Sequence, residues 1–526
     1  MPVSNRNDDK TPQSVNIQES APPAQTDPTL GIPVRRLAQS VPKHRLVTLG
    51  DSLTHGFQSA AIYNTGHSYP AIIAREMGIG SQFRYPSYNG VGGLPLNIEY
   101  VLRELEHTFG AKLNWWELAP AAFKVRDIMD RIEDYWERGA GSTPPAVTGI
   151  NHNLAIFGWD VRDILSCSSG ICRDRIKRPR DNWLSQVVEN AQDRAALRVL
   201  PSLTWHPPMT PLDAAETLAD DGGIETLVVM VGANNALASV VNLNVVWSSD
   251  ALDDEGMPKY QSLEEKKAFT VWDPVHFAAE YAELADRLNK IDARHVILCT
   301  IPHVTIAPIA RGVGKRPDGS RYFPFYTRPW ISDAQFNSRE SPHITGAEAR
   351  AVDAAIDQYN AVIAKHVADA RRRGSDWLLF DMAGLLDRLA VRRYYDDPAT
   401  QPTWWTPYEL PAVLAALRPV PNTKFFQSNS LGRTDGGLFS LDGVHPTTVA
   451  YGIVAQELIR VMESAGVTFF KGDGVTPRPA PVTVDFTLLL AGDTLMSDPP
   501  ASLTSDIGLI GWLDQKVNAI QRIFAR

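Results

Sequence analysis

The chain has 526 residues and a formal net charge of -9, so it carries no global basic field of the kind that draws a protein onto nucleic acid phosphates. Its composition, 44% hydrophobic and 21% charged, is that of a folded globular protein, and no apolar run approaches the ~18 to 20 residues that span a bilayer. Three cysteines, Cys167, Cys172 and Cys299, are too few for a disulfide scaffold and lack metal-ligand spacing, although Cys167 and Cys172 could pair locally in an oxidising compartment.

Residues 1–43 begin polar and proline-rich, without the apolar stretch of a secretory signal, and are expected to be disordered or extended. The missing signal points to the cytoplasm, while a processed chain or unconventional export would leave the same sequence. The first predicted strand, RLVTLG (45–50), runs into DSLTHG, which puts Ser52 at a strand's carboxyl end, either as a helix N-cap or as a reactive group. SYPAIIAREMG reads as a short helix, with Pro70 just inside its start and Gly78 past its end. The glycine-rich YNGVGGLPLN, with Gly90, Gly92 and Gly93, follows a polar stretch and no strand, which argues against a phosphate loop.

A second strand, NLAIF (153–157), is followed at once by Gly158. The basic stretch RDRIKRPRD (173–181) also holds acids and reads as a solvated loop. A third strand, TLVVMVG (226–232), leads into Gly232, Ala233, Asn234 and Asn235, where a side-chain amide either donates to an oxyanion or makes an Asx turn. Phe277, Tyr281, Leu284 and Leu288 form one face of a helix that delivers the chain to a fourth strand, HVILCTI (295–301), where Cys299 reads as a small buried hydrophobe.

Thr345 and Glu348 make a capping box for a helix with an apolar stripe of Val352, Ile356, Tyr359, Ile363 and Val367, ending near Gly374 ahead of a fifth strand, WLLFD (377–381). FSLDGVHPTTVAYG then sets Asp442 and His445 three residues apart before a last helix. Residues 467–526 read as a C-terminal extension holding TLLLAGDTLM and a helix with Leu513, Val517, Ile520 and Phe524 on one face.

Strand and helix alternate throughout, which predicts an α/β fold with a mainly parallel five-stranded sheet, helices on both faces, and ligands beyond the strands' carboxyl ends. The uneven strand spacing places large insertions in the 44–466 domain near 80–150, 165–225, 305–340 and 390–435. These carry Trp115, Trp116, Trp404 and Trp405, which either line an acyl or sugar pocket or pack the insertions themselves. A serine hydroxyl needs a base to take its proton, and that base needs a partner to fix its tautomer. Asp442 and His445 can supply both from one loop; alternatively Asp442 caps the helix and His445 lies on the surface.

Gly50-Asp51-Ser52-Leu53, Gly232-Ala233-Asn234 and Asp442-Gly443-Val444-His445, in this order and each at an element boundary, resemble the GDSL or SGNH hydrolases over roughly residues 44 to 464. The resemblance implies a three-layer, flavodoxin-like fold with Ser52 as nucleophile, His445 as general base and Asp442 as its orienter. It also implies an oxyanion hole of the Ser52 N–H, a glycine N–H and the Asn234 side chain. Gly158 is the better glycine than Gly90, Gly92 or Gly93, because it directly follows an apolar strand. The family usually has aspartate where this chain has Asn235, a position of structural support. With His445 in the base position, His55 is expected to be a loop residue near the mouth of the site.

The implied activity is that of a serine esterase or lipase acting on a small-molecule or lipid ester through an acyl-enzyme, with no metal or organic cofactor. An acyltransferase using the same triad, or a non-catalytic lipid- or glycan-binding module, are the competing expectations. No G-x-G-x-x-G opens a helix after a strand, which leaves nucleotide enzymes without support.

Overall fold

Four parallel strands form the central sheet: β1 (His44–Gly50), β2 (Ile224–Met230), β3 (Ala293–Cys299) and β4 (Trp377–Phe380), paired in that spatial order. The computed structural model describes residues 10–18, 22–35, 41–145, 149–177, 179, 187–200, 207–250, 263, 265–501, 503 and 511. Side chains alternate across the sheet, and both sets are apolar because helices cover both faces. Val47, Leu49, Leu227, Val229, Val296 and Leu298 enter one core, whereas Leu46, Val228, Met230, Ile297, Cys299 and Phe380 enter the other.

The sheet departs from the sequence expectation in having four strands, not five, among the described residues. Residues 153–157 run beside β1 through a single parallel bridge between Thr48 and Asn153. Thr48 N–H donates to His152 O at 2.8 Å, Leu154 N–H to Thr48 O at 2.9 Å and Ile156 N–H to Gly50 O at 3.1 Å. The Asn153 side chain adds further anchors: its oxygen accepts from Ala155 N–H at 3.2 Å and its amide donates to Thr54 O at 2.9 Å.

The helices that frame the site can be taken in chain order. α1 (Ser52–His55) and α2 (Tyr69–Glu76) follow β1, and α3 (Ile98–Phe109) and α4 (Leu118–Glu137) build the first insertion. α5 (Val161–Ser166), α6 (Ala191–Val199) and α7 (Pro211–Asp220) lead to β2, and α8 (Asn234–Asn242) leaves it. α9 (Pro274–Leu288) precedes β3, α10 (Gly346–Arg372) precedes β4, and α11 (Met382–Leu389), α12 (Thr448–Ser464) and α13 (Phe486–Gly492) follow it. α5 and α7 to α10 contribute to the first core, and α2 and α11 to α13 to the second.

Local chemistry sets these helices. Asp273 caps α9 by accepting Val275 N–H at 2.9 Å, with Pro274 at the first helical position. Thr345 and Glu348 close the capping box of α10 in both directions, at 2.8 and 3.2 Å. Tyr359 on α10 then stacks on Phe277 of α9, ring centroids 4.1 Å apart.

α3 and α4 share a separate apolar cluster, including Leu105, Ile128, Ile132 and Trp136, which packs on Phe57 and Phe157 and so builds a wall beside the end of β1. The C-terminal extension folds back: Val482, Val484, Phe486 and Leu489 join the second core, and Asp493 Oδ2 accepts the Val449 N–H at 2.9 Å in the first turn of α12. The amphipathic stretch Leu513 to Phe524 lies outside the described residues. Near the other terminus, Pro28 O accepts the Leu379 N–H of β4 at 2.9 Å and Ser14 Oγ donates to Asp273 at 2.7 Å.

Cys167 and Cys172 are free thiols with sulfurs 3.7 Å apart, in contact but far beyond the ~2.05 Å of a disulfide. Among the described residues no helix is long and apolar enough to cross a membrane.

Candidate active site

β1 turns into α1 with no intervening residue to spare. A Cβ at Gly50 would lie 2.6 Å from Met230 O and 2.2 Å from Thr54 Oγ1, so the turn requires glycine. Asp51 N-caps α1, its Oδ1 accepting the Leu53 N–H at 3.0 Å. The capping task therefore falls to Asp51, and Ser52 keeps its hydroxyl for another partner. Burial pushes the Asp51 carboxyl up to about 7.

That partner is His445, whose Nε2 lies 2.8 Å from Ser52 Oγ. Its Nδ1 lies 3.0 Å from Asp442 Oδ2. A carboxylate only accepts, so Nδ1 carries the proton and Nε2 is left to accept from the serine. Asp442 also accepts the Val444 and His445 N–H groups, both at 2.8 Å, and the Ala60 N–H at 2.9 Å. Burial raises the Asp442 carboxyl, but the His445 imidazole and these hydrogen bonds outweigh it and hold the group below the usual carboxylate range. Asp442 does not cap α12, which begins at Thr448 after Thr447, and His445 is only 2% exposed, its ring 4.6 Å from that of Phe57.

On the other side of Ser52, Gly158 and Asn234 join Ser52 and His445 in lining a cavity of about 430 Å³ with its mouth included. Gly158 sits at φ +77°, a left-handed conformation that glycine adopts at little cost, and its Cβ position lies 2.2 Å from Gln192 Nε2. Neither the Ser52 N–H nor the Gly158 N–H has a hydrogen-bond partner among the described residues. Asn234 gives one amide proton to Trp159 O at 2.9 Å, which fixes the side chain and leaves its second proton to donate. Gly90, Gly92 and Gly93 lie in the first insertion, packed against Tyr135, Ile132 and Tyr63.

No protein-family model matches this chain, and no curated protein matches it significantly. Function must be read from the site itself.

Asn235 keeps an acceptor role, its Oδ1 taking the Val161 N–H at 3.3 Å, while its buried Nδ2 has no partner among the described residues. Leaving such a donor unmet costs ~1–3 kcal/mol.

His55 differs from its expected place at the mouth of the site: it is wholly buried, because the single turn of α1 swings its last side chain inward. Its Nδ1 accepts the Phe157 N–H at 3.2 Å, so Nε2 carries the proton and donates to Tyr88 Oη at 2.9 Å. Burial lowers its pKa to about 3, so it is neutral and positions the peptide just before Gly158. Ser59 and Ala60, at φ 51° and 65°, turn their N–H groups onto Ser440 Oγ and Asp442. Non-glycine residues in that region cost ~1–3 kcal/mol each, and no glycine or asparagine marks the position in the sequence.

A second cavity, about 820 Å³ with its mouth included, shares Ser52 and His445 and is lined by Leu53, Leu237, Val304, Leu386, Ile453 and other apolar side chains. Trp116, Trp404 and Trp405 do not line it. Trp116 is 60% exposed, and Trp405 packs on Tyr394 and Tyr395 while donating to Asp387 O at 3.0 Å.

Proposed function

We propose that the protein is a serine hydrolase of carboxylic esters, built on the SGNH fold and working through an acyl-enzyme on Ser52. The carrying observation is the continuous relay from Ser52 Oγ to His445 Nε2 at 2.8 Å and from His445 Nδ1 to Asp442 Oδ2 at 3.0 Å. Ser52 Oγ attacks the ester carbonyl carbon as its proton passes to His445 Nε2. The resulting oxyanion takes hydrogen bonds from the Ser52 N–H, the Gly158 N–H and Asn234 Nδ2. Collapse of the tetrahedral intermediate breaks the C–O bond to the alcohol, which leaves with the His445 proton. Water then repeats the sequence on the acyl-enzyme and releases the acid, while Asp442 stays ionised throughout.

The order of the edge segment 153–157, β1, β2, β3 and β4 supports the fold reading. It corresponds to the 2-1-3-4-5 order of flavodoxin-like sheets, which bind ligands at the carboxyl ends of their strands.

A fluorophosphonate probe is expected to label one site per chain, with the modified peptide carrying Ser52, and to abolish release of p-nitrophenol from p-nitrophenyl esters. Labelling elsewhere, or none on folded protein, would sink the reading. An acyltransferase would form the same acyl-enzyme and hand it to an alcohol; the proportion of new ester to free acid as glycerol is added separates the two. In steady-state kinetics on a soluble ester, Asn234→Ala is expected to lower kcat by about 10²–10³ with KM nearly unchanged, the signature of an oxyanion donor acting in the transition state.

A further inference from the structure

We infer that the protein binds a phosphate group, as the free ion or as the end of a larger molecule, in a third cavity that is walled by arginines and lined by neither Ser52 nor His445. This cavity, about 280 Å³ with its mouth included, is lined by Arg321, Arg392 and Arg393, by Thr305, Tyr326 and Thr423, and by three apolar side chains. Among the described residues no carboxylate lines it.

Two separate segments bring the arginines together. Val391–Tyr395 form a π-helical turn, closed by the Asp396 N–H on Val391 O at 3.0 Å, which carries Arg392 and Arg393, and Arg321 comes from the insertion near 305–340. Arg393 is taken up by the fold: its guanidinium donates to Asp353, to Thr305 Oγ1 and, at 3.4 Å, to Asp387. Arg321 and Arg392 have no ion-pair partner among the described residues. Arg392 donates to Ile306 O at 3.1 Å, Ala310 O at 3.3 Å and Ala307 O at 3.4 Å, bonds that fix its plane without neutralising it. Arg321 Nη1 is buried and has no hydrogen-bond partner among the described residues.

The charge around the cavity is unbalanced in the same sense. Burial lowers the pKa of His303, but Asp357, Asp387 and Asp353 outweigh it and hold the imidazole at about 10, so it is protonated. The cations His303, Arg321, Arg392 and Arg393 thus outnumber the carboxylates Asp353, Asp357 and Asp387. The outlying pairs Arg311 with Asp333, Arg316 with Asp397 and Lys424 with Asp396 are each neutral. A buried cation without a counter-charge is costly, and an anion in the cavity would remove that cost.

Guanidinium forks match the oxygens of phosphates and carboxylates. Here the donors come from separate directions: Arg321, Arg392 and Tyr326, whose Oη accepts the Phe323 N–H at 3.2 Å and keeps its own proton to donate. A carboxylate offers two oxygens in one plane, whereas a phosphate group spreads its oxygens tetrahedrally, which favours phosphate.

Isothermal titration calorimetry on the full chain, with sodium phosphate, glycerol 3-phosphate and sodium acetate at constant ionic strength, is the test. Phosphate is expected to saturate one site per chain, at least about tenfold more tightly than acetate. Arg321→Gln and Arg392→Gln should each weaken it about tenfold or more, the loss of a charge-assisted hydrogen bond. Arg392 also braces three carbonyls, so if its variant does not melt cooperatively, Arg321→Gln, which leaves those bonds in place, decides alone. Ser52→Ala should bind phosphate as the wild type does, because the site needs no nucleophile. Tighter binding of glycerol 3-phosphate than of phosphate assigns the end of a larger ligand, and weaker binding assigns the free ion. No saturable phosphate binding to the wild type, acetate binding of equal strength, unchanged affinity in Arg321→Gln, or loss of binding in Ser52→Ala would each overturn the inference.

Discussion

Ester turnover by Ser52→Ala is expected to fall by about 10⁵–10⁶ in kcat, to the residual level that an oxyanion hole and substrate binding sustain without a nucleophile. The change removes one oxygen whose side-chain partner is His445 Nε2 at 2.8 Å and leaves the cap of α1 on Asp51 intact. Stability should therefore move little, and the loss cannot be charged to unfolding. Single-turnover kinetics with a thermal melt on the same sample make the check. A folded variant that keeps more than about a hundredth of wild-type turnover would remove Ser52 from the nucleophile's role, because the remaining donors do not account for so much rate.

Asp442→Asn is expected to cost about 10⁴ in kcat with little change in KM. Four hydrogen bonds converge on this carboxylate, from the His445 ring, Ala60 N–H, Val444 N–H and His445 N–H. An asparagine whose oxygen still serves Val444 and His445 N–H must turn its NH₂ toward Ala60 N–H and His445 Nδ1–H, donor against donor. The imidazole then moves its proton to Nε2, where it can no longer accept from Ser52. The same conflict frees the left-handed turn at Ser59 and Ala60, so the melting temperature should also drop, consistent with ~1–3 kcal/mol for an unmet buried donor. Wild-type kcat in this variant would show that His445 does not depend on Asp442 for its tautomer.

β1 to β4 were legible in the sequence because strands buried on both faces read as continuous apolar runs. The run at 153–157 reads the same, yet it meets β1 through one bridge and not a full ladder, a distinction that no pattern of apolar residues encodes. Ser52, Asp442, His445 and Asn234 could be picked out because each lies in a short stretch at an element boundary. Ser59, Ala60 and His55 could not: the backbone turn and the buried tautomer are set by contacts with residues 382 and 102 positions away. Gln192 stayed hidden for a similar reason, since the helix that carries it over Gly158 belongs to an insertion with no motif of its own.

The bond between Ser52 and His445 joins residues 393 positions apart, and the side chain in the first turn of α12, Asp493, lies 44 positions beyond Val449. At a synthesis rate of about 5–20 residues per second, the serine leaves the ribosome roughly 20 to 80 s before the histidine that would deprotonate it. On the ester-hydrolase reading, a chain made through β1 but not yet through His445 carries its serine without the base that would activate it. On that reading, the pair that would make the nucleophile is complete only once synthesis has passed His445, long after Ser52 itself has been made.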